Sequence, residues 1–396
     1  MVGGSRMQIE NLRIAVYEMT NEKFENIGEI NQLESLMWPK NYSGYSQIKL
    51  TAPITDENKE FFKKGRVLWR VGDNTAAIIE IINSSVKDDG SKVFEIKGRT
   101  LECLLEKRIV WNVYQANNLE VSKIIENLVN QNCVSPFEEK RKIPRMTISP
   151  YISSGESKKD SYQKTGGTVY EAISDLVQEA GMGFEIQFVP DLESLIFRVY
   201  KGKNRTINQN DVDAIVFSDD TDDILTSSYE MNSTGYKNVA KVAGEGEGSL
   251  RTYVNVEDSI TDEKGEKVKP TGLLRDEMFI DARDLQSTYT DDDGNEKTLS
   301  TLEYLGTLIH RGEEKLSENA VIENFECDLR MYGAQFEFDK DYFLGDIVTF
   351  VDTALGITID ARITAVEDDY SDEHKKIFTF GYGYPSLIQK IKRVIS

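Results

Sequence analysis

Apolar and polar positions change texture along the chain, and the changes outline its architecture. From residue 11 to 98, short β-branched or aromatic runs alternate with turns. The runs are LRIAVYEM, the stretch Ile30–Met37, YSQIKLTAP, RVLWRV, AAIIEII and KVFEIK. Their length and composition predict strands. Gly72-Asp73-Asn74 and Lys87-Asp88-Asp89-Gly90 fall between consecutive runs and predict antiparallel hairpins, so the segment reads as a small barrel or sandwich. After Arg99 the period becomes helical. Val121, Ile124, Ile125, Leu128 and Val129 share one face of a helix over Leu119–Asn132. Val169, Ala172, Ile173, Leu176, Val177 and Ala180 do the same over Thr168–Gly181. There Thr168 and Glu171 form a capping box and Gly181 stops the helix.

Between these helices Tyr151–Gly167 is rich in Ser, Lys and Gly and reads as a long mobile loop. GFEIQFV and SLIFRVY then form a strand pair, so 111–203 reads as an α/β unit. Strands return with AIVFS, ILTSSYEM, KNVAKVAG and LRTYVNV. Two hydrophilic hairpin tips follow, Thr261–Glu266 and Thr290–Glu296, then a helix from about Leu299 to Ser317. Residues 320–382 are strand-rich again, and SLIQKIKRVIS reads as a short basic amphipathic helix with Leu387, Ile388, Ile391 and Ile395 on one stripe. The two β segments of similar length suggest an internal structural duplication.

The 396 residues carry 47 Lys+Arg against 68 Asp+Glu, a net charge of −21, which argues against a dedicated nucleic-acid binder. No apolar run is long enough to span a membrane. Met1–Arg6 reads as a leader before a native Met7, with no signal region behind it. Cys103, Cys133 and Cys327 are scattered without CxxC spacing and read as buried thiols of a protein made in a reducing cytoplasm. Only two histidines, His310 and His374, are present, a poor set for acid–base or metal chemistry.

Candidate motifs fail on their own spacing. GEGEGSLR at Gly244–Arg251 lacks GxGxxG spacing and reads as a strand ending in a hairpin. Asp291–Asn295 resembles the start of a calcium loop, but position twelve is Leu302 where a bidentate Glu is required. His310 and Glu313 stand at i, i+3 and would need two further ligands for zinc, and His374 reads as an exposed turn. No GxSxG or phosphate loop occurs. We therefore expect no catalytic, cofactor-binding or metal-ligating residue.

Several segments taken in order carry a resemblance: LMWPKNYSGYSQIKLTAP, with Trp38 and Gly44; AAIIEII, a DDG hairpin and KGRTLECLLEKRIVW; VYKGKNRT; Phe217-Ser218; NVAKVAGEGEG followed by Arg251; RDEMFIDARD; and FLGDIVTFVD. From about Ile9 to Tyr384 the chain resembles the tail-tip hub (tail-associated) proteins of siphoviruses and prophages, similar to the baseplate hubs of contractile phages. The resemblance implies an α+β, mainly β fold with two small β-barrel hub domains, an α/β domain and a helical/hairpin insertion. By element order these fall at 7–110 for the first barrel, 111–203 for the peripheral α/β domain, 204–256 with 320–384 for the second barrel, and 257–319 for the insertion. Residues 385–396 form the terminal helix. It further implies a virion structural protein: a homotrimer whose six barrels ring a channel for DNA. Its partners would be a distal tail protein or tail tube ring and the tip or receptor-binding proteins. The aromatic-rich strands around Trp69, Phe350 and Tyr384 are expected to pack in barrel cores, with subunit contacts as the alternative. The lytic extension of many relatives is not expected here, because the chain ends soon after its last strand. Two alternatives stay open: a tail-associated cell-wall hydrolase, and a cell-wall polysaccharide-binding adhesin.

Overall fold

The computed structural model describes residues 12–381, except 88–89, 153–157, 219, 221–223, 262–265, 291–295, 330–334, 354–356 and 372–373. The leader, the calcium-like run Asp291–Asn295, Tyr384 and the terminal helix lie outside the described residues.

The fold is mainly β, and both β segments join one 14-stranded sheet. Its hydrogen-bonded order is Ile224–Asn232, Ile322–Leu329, Lys375–Gly381, Ile357–Asp369, Ser35–Asn41, Gln47–Pro53, Lys92–Thr100, Ala76–Val86, Val67–Arg70, Ile14–Met19 and Phe24–Glu29. Ile347–Asp352 also pairs with Ile357–Asp369 and takes Asn204–Arg205 and Val216–Ser218 as parallel neighbours. The two halves meet in an antiparallel ladder that runs from Met37↔Asp369 to Asn41↔Ala365. Pro39 sits in that ladder, past the point where pairing with Gln47–Pro53 ends at Met37↔Lys49. Its missing N–H therefore costs no bond on the other side.

Two closed barrels were expected, yet among the described residues no ladder closes either half. A short helix, Asp56–Phe61, explains the first half and escaped the strand pattern. Phe61 and Phe62 join Ile14, Val16, Leu36, Trp38, Ile48 and Leu50 in the inner core. A side chain at Gly28 would stand 2.6 Å from the Phe61 ring. Burial on the inner face is thus met by an aromatic plug rather than by closure of the ring.

The outer face is covered as well. Ala15, Tyr17, Val67, Ala76 and Ile78 belong to a second core shared with the α/β unit. This two-sided burial accounts for IAVY and AAII, which are apolar at every position instead of alternating. Phe188 of the α/β unit packs against Tyr17, Phe24 and Trp69 with ring centroids 5.1, 5.5 and 6.2 Å away. Trp69 is thus a contact between units, and Phe350 lies in the core of the second β half.

In the α/β unit the helices are Val121–Val129 and Val169–Ala180, the latter with the Thr168/Glu171 capping box and a left-handed Gly181 at its end. The sheet beside them is Gly183–Val189, Ser194–Tyr200 and Met146–Ser149. The expected mobile loop is a strand in part: Lys158–Lys164 pairs along Tyr114–Glu120. Its polar sequence hid it, because Tyr162 is the one residue of the strand in the apolar core.

Val239–Ala243 and Tyr253–Glu257 form a hairpin, as the Gly244–Arg251 reading expected. Val239–Ala243 also pairs in parallel with Glu277–Asp281, and the Thr301–Glu318 helix packs on this small sheet. Element order had grouped 239–256 with the second barrel. The strands instead bury Ala240 and Val242 against Tyr304, Leu308 and Leu316 of the inserted helix.

Candidate functional site

Three units converge on Tyr42, at the end of the ladder that joins the β halves. Its amide donates to the Thr364 carbonyl at 2.9 Å, and its own carbonyl accepts from the Phe184 amide at 3.1 Å. The phenol oxygen accepts from the Gly202 amide at 3.1 Å and lies 3.1 Å from the Gly181 carbonyl oxygen, to which it donates. Tyr200 meets the ring edge-on at 5.2 Å and the Arg362 guanidinium stacks 5.2 Å from its centre. Burial raises the pKa of the phenol, which keeps it neutral and able to donate.

Glycines make room for this ring. A Cβ at Gly183 or Gly345 would enter the Tyr42 ring, and one at Gly202 would collide with the Gly345 backbone. Gly345 adopts φ +93°, a conformation that suits glycine. Beside it Asp346 accepts from the Lys203 amide and Arg205 Nε, both at 2.7 Å, and is buried. Arg362 donates to the Gly345 carbonyl at 2.6 Å. The motifs around Tyr42, Gly202 and Gly345, far apart in sequence, thus close on one point.

A charged seam runs along the same ladder. Asp368 is buried and meets Arg70 at 2.6 Å, Lys376 at 2.7 Å and His374 at 2.9 Å. Burial alone would raise its pKa. The hydrogen bond from His374 and the charges of Lys376 and Arg70 outweigh that and hold it far below the ordinary carboxylate range. Arg70 also donates to Tyr370 Oη at 3.2 Å, and the His374 ring stacks on Tyr370 at 3.9 Å. His374 is therefore part of the seam rather than the exposed turn its charged neighbours suggested. Its aromatic partner, Tyr370, stands four residues before it in the chain, and that spacing was a readable signal.

The α/β unit meets the inserted unit through a second polar cluster. Lys159 pairs with Glu179 and stands 3.0 Å from His310 Nδ1. Glu179 and Glu313 lie 3.7 and 3.9 Å from the same nitrogen. These three side chains are close enough to share a cation, as are Asp175, Glu314 and Glu318. In the first group the cationic place is taken by the Lys159 ammonium; in the second, Lys164 lies 3.6 Å from Asp175 and 3.8 Å from Glu314. Sequence spacing found His310 and Glu313 but not Glu179 or Lys159, which come from other elements. Cys103 and Cys133 are buried and their thiols are pushed up to about 12 by that burial, while Cys327 lies in the Ile322–Leu329 strand.

The arrangement is one of interlocked bodies, with neutral hydrogen bonds at the centre and ion pairs along the seams. A family model described as Siphovirus ReqiPepy6 Gp37-like protein matches residues 13–382. The chain belongs to that family. Structural likeness agrees with it. The prophage tail protein gp18 from Listeria monocytogenes EGD-e aligns over 97% of this chain and 98% of its own, at 12% identity and a TM-score of 0.51. A tail protein from Neisseria meningitidis MC58 aligns over 93% and 96%, at 12% identity and a TM-score of 0.51. The prophage MuSo2 43 kDa tail protein from Shewanella oneidensis aligns over 93% and 97%, at 12% identity and a TM-score of 0.50. A search of curated proteins finds no significant match. The siphovirus family member thus has the fold of prophage tail proteins, in agreement with the tail-tip resemblance read from its sequence. Among the described residues, no helix is long and apolar enough to cross a membrane.

Proposed function

We propose that the chain is a structural subunit of the phage tail tip, a hub that trimerises to join the tail tube to the distal tip. The observation that carries this reading is the ladder Met37–Asn41/Ala365–Asp369, which sets two β units side by side in one sheet. Three copies of a two-unit subunit present six units, the number needed to continue a sixfold tube from a threefold tip. The ring so formed surrounds a channel for DNA, and a chain of net charge −21 repels phosphate rather than holding it. Its partners are a tail tube or distal tail ring on one side and tip or receptor-binding proteins on the other. Its place is the virion, after synthesis in the host cytoplasm, and its role is assembly, without catalysis.

The same reading divides the chain into 7–110, 111–203, 204–256 with 320–384, and 257–319. Its one revision is that 239–256 travels with the inserted unit, whose core those strands help build.

The test is the particle mass in solution by light scattering, followed by negative-stain averages. A species of three times the 45.0 kDa subunit mass, with threefold views and an axial hole, is the expected result. A chain that stays monomeric both alone and with its neighbouring tail ring would overturn the hub reading.

A further inference from the structure

Away from the β seam, the α/β unit carries a cleft of about 770 Å³ whose walls the assembly reading leaves without a role. Beside Val113, its apolar features are two exposed aromatic rings: Trp111 is 53% exposed and Phe137 is 96% exposed. The indole is held in place, because the Trp111 amide donates to Asn132 Oδ1 at 3.1 Å and the Arg141 guanidinium stacks 4.7 Å from the ring centre. Arg141 is itself fixed by donation to the Ile109 carbonyl at 2.8 Å. A rigid, half-exposed indole is a platform already in position.

The remaining wall is mostly polar. Asn112, Gln131, Ser135, Thr165 and Thr290 line the cleft with amides and hydroxyls. Gln131 and Asn132 sit on a single π-helical turn, Asn130–Val134, that widens the end of the Val121–Val129 helix. Such turns recur where a helix serves a site. The two charged residues of the lining are opposite in sign: Glu138, which pairs with Lys140 at 2.9 Å, and Arg141, which lies over the indole. The lining thus holds one charge of each sign rather than a cluster of one kind, and the strongly acidic chain disfavours an anionic ligand.

Aromatic faces carry negative potential and stack on polarised C–H groups, while planar amides match pairs of neighbouring hydroxyls. Together these are the needs of a sugar ring, apolar on its faces and hydroxylated round its rim. We propose that the Trp111 cleft binds a short neutral segment of a carbohydrate polymer. The inference rests on the cleft alone and is independent of whether the chain trimerises.

The chain has three tryptophans, of which Trp38 is fully buried and Trp69 partly so, so acrylamide quenching of the full chain reports mainly on Trp111. The probes are chitotetraose, maltotetraose and an array of neutral bacterial cell-wall polysaccharides. At least one is expected to protect Trp111, with a dissociation constant in roughly the micromolar to millimolar range. Trp111→Ala should weaken binding by about tenfold or more, followed by calorimetry, with an unchanged melting temperature because the ring is exposed. Phe137→Ala should weaken it by a smaller factor. The proposal is overturned if no glycan protects Trp111 at about 10 mM. It is overturned equally if Trp111→Ala binds as the parent does, or if only peptides of a tail partner protect the indole.

Discussion

The ring of Tyr42 occupies the volume that a side chain at Gly345 would need. The two residues belong to different halves of the sheet, so their contact sets how closely the halves approach. Gly345→Ala must displace the ring and also hold alanine at φ +93°. Overpacking and the left-handed conformation each cost on the order of 1–3 kcal/mol, so a loss of about 3 kcal/mol is expected in urea denaturation. Tyr42→Phe keeps the ring but leaves the Gly202 amide unpaired, for a smaller loss of about 1–2 kcal/mol. Equal stability of Gly345→Ala and the parent would show that the junction is looser than described.

Asp368 holds three cationic or donor groups from both sides of the seam. Asp368→Asn leaves Arg70 and Lys376 close together without a countercharge, and a destabilisation of about 3 kcal/mol is expected at neutral pH. The folded carboxyl is depressed, so its contribution is complete above the ordinary carboxylate range and fades as pH falls below about 4. Melting temperatures of parent and variant should therefore differ at pH 7 and converge in strong acid. A constant gap between them at all pH values would contradict the assignment.

Glu102 is fully enclosed between the first β unit and the α/β unit, where it accepts the Ile186 amide at 2.9 Å. Burial pushes its carboxyl up to about 7 from 4.5. A raised acid binds its proton more tightly when folded, so its stabilisation is present at low pH and declines as pH rises from about 4.5 to 7. The decline corresponds to about 3 kcal/mol. Glu102→Gln retains an acceptor for Ile186 and should remove this component from the stability–pH curve. An unchanged curve would show that Glu102 ionises freely in the folded state.

Asp175 and Glu314 share a site between the α/β and inserted units. Burial and the negative charge of Glu314 raise Asp175 well above the ordinary range. Burial would raise Glu314 too, but the charges of Lys164 and Arg311 hold it down at about 2. Asp175→Asn imitates the protonated partner and should change stability at pH 7 by less than about 1 kcal/mol. Glu314→Gln leaves Lys164 and Arg311 uncompensated and should cost about 2–3 kcal/mol. The reverse ranking in guanidinium denaturation would exchange their roles.

What could be read from the sequence was whatever a local period or cap records. The Thr168/Glu171 box, the Gly181 stop and the strands around AAIIEII and SLIFRVY all carry their own signals. The six-residue helix Asp56–Phe61 is too short to show a helical period, and the polar strand Lys158–Lys164 has no apolar face to declare it. The resemblance-bearing segments named the neighbourhood of the junction without showing that they touch. Tyr42 and Gly345 are linked only by the register of a ladder between distant segments, and no local pattern encodes that register. IAVY and AAII did announce burial on both faces, through their lack of alternation.

The ladder across the seam also governs how the chain behaves while it is being made. Residues 37–41 leave the ribosome well before their partners, 365–369, which follow only after the α/β and inserted units. During that interval the first β unit has an uncovered strand edge, the kind of surface on which nascent chains pair with one another. Pro39 gives that edge no protection, because Leu36 and Tyr42 make hydrogen bonds across the seam and the alternating pattern turns the nitrogen of position 39 the other way. The waiting half keeps its edge donors exposed until its own partner strand arrives and covers them.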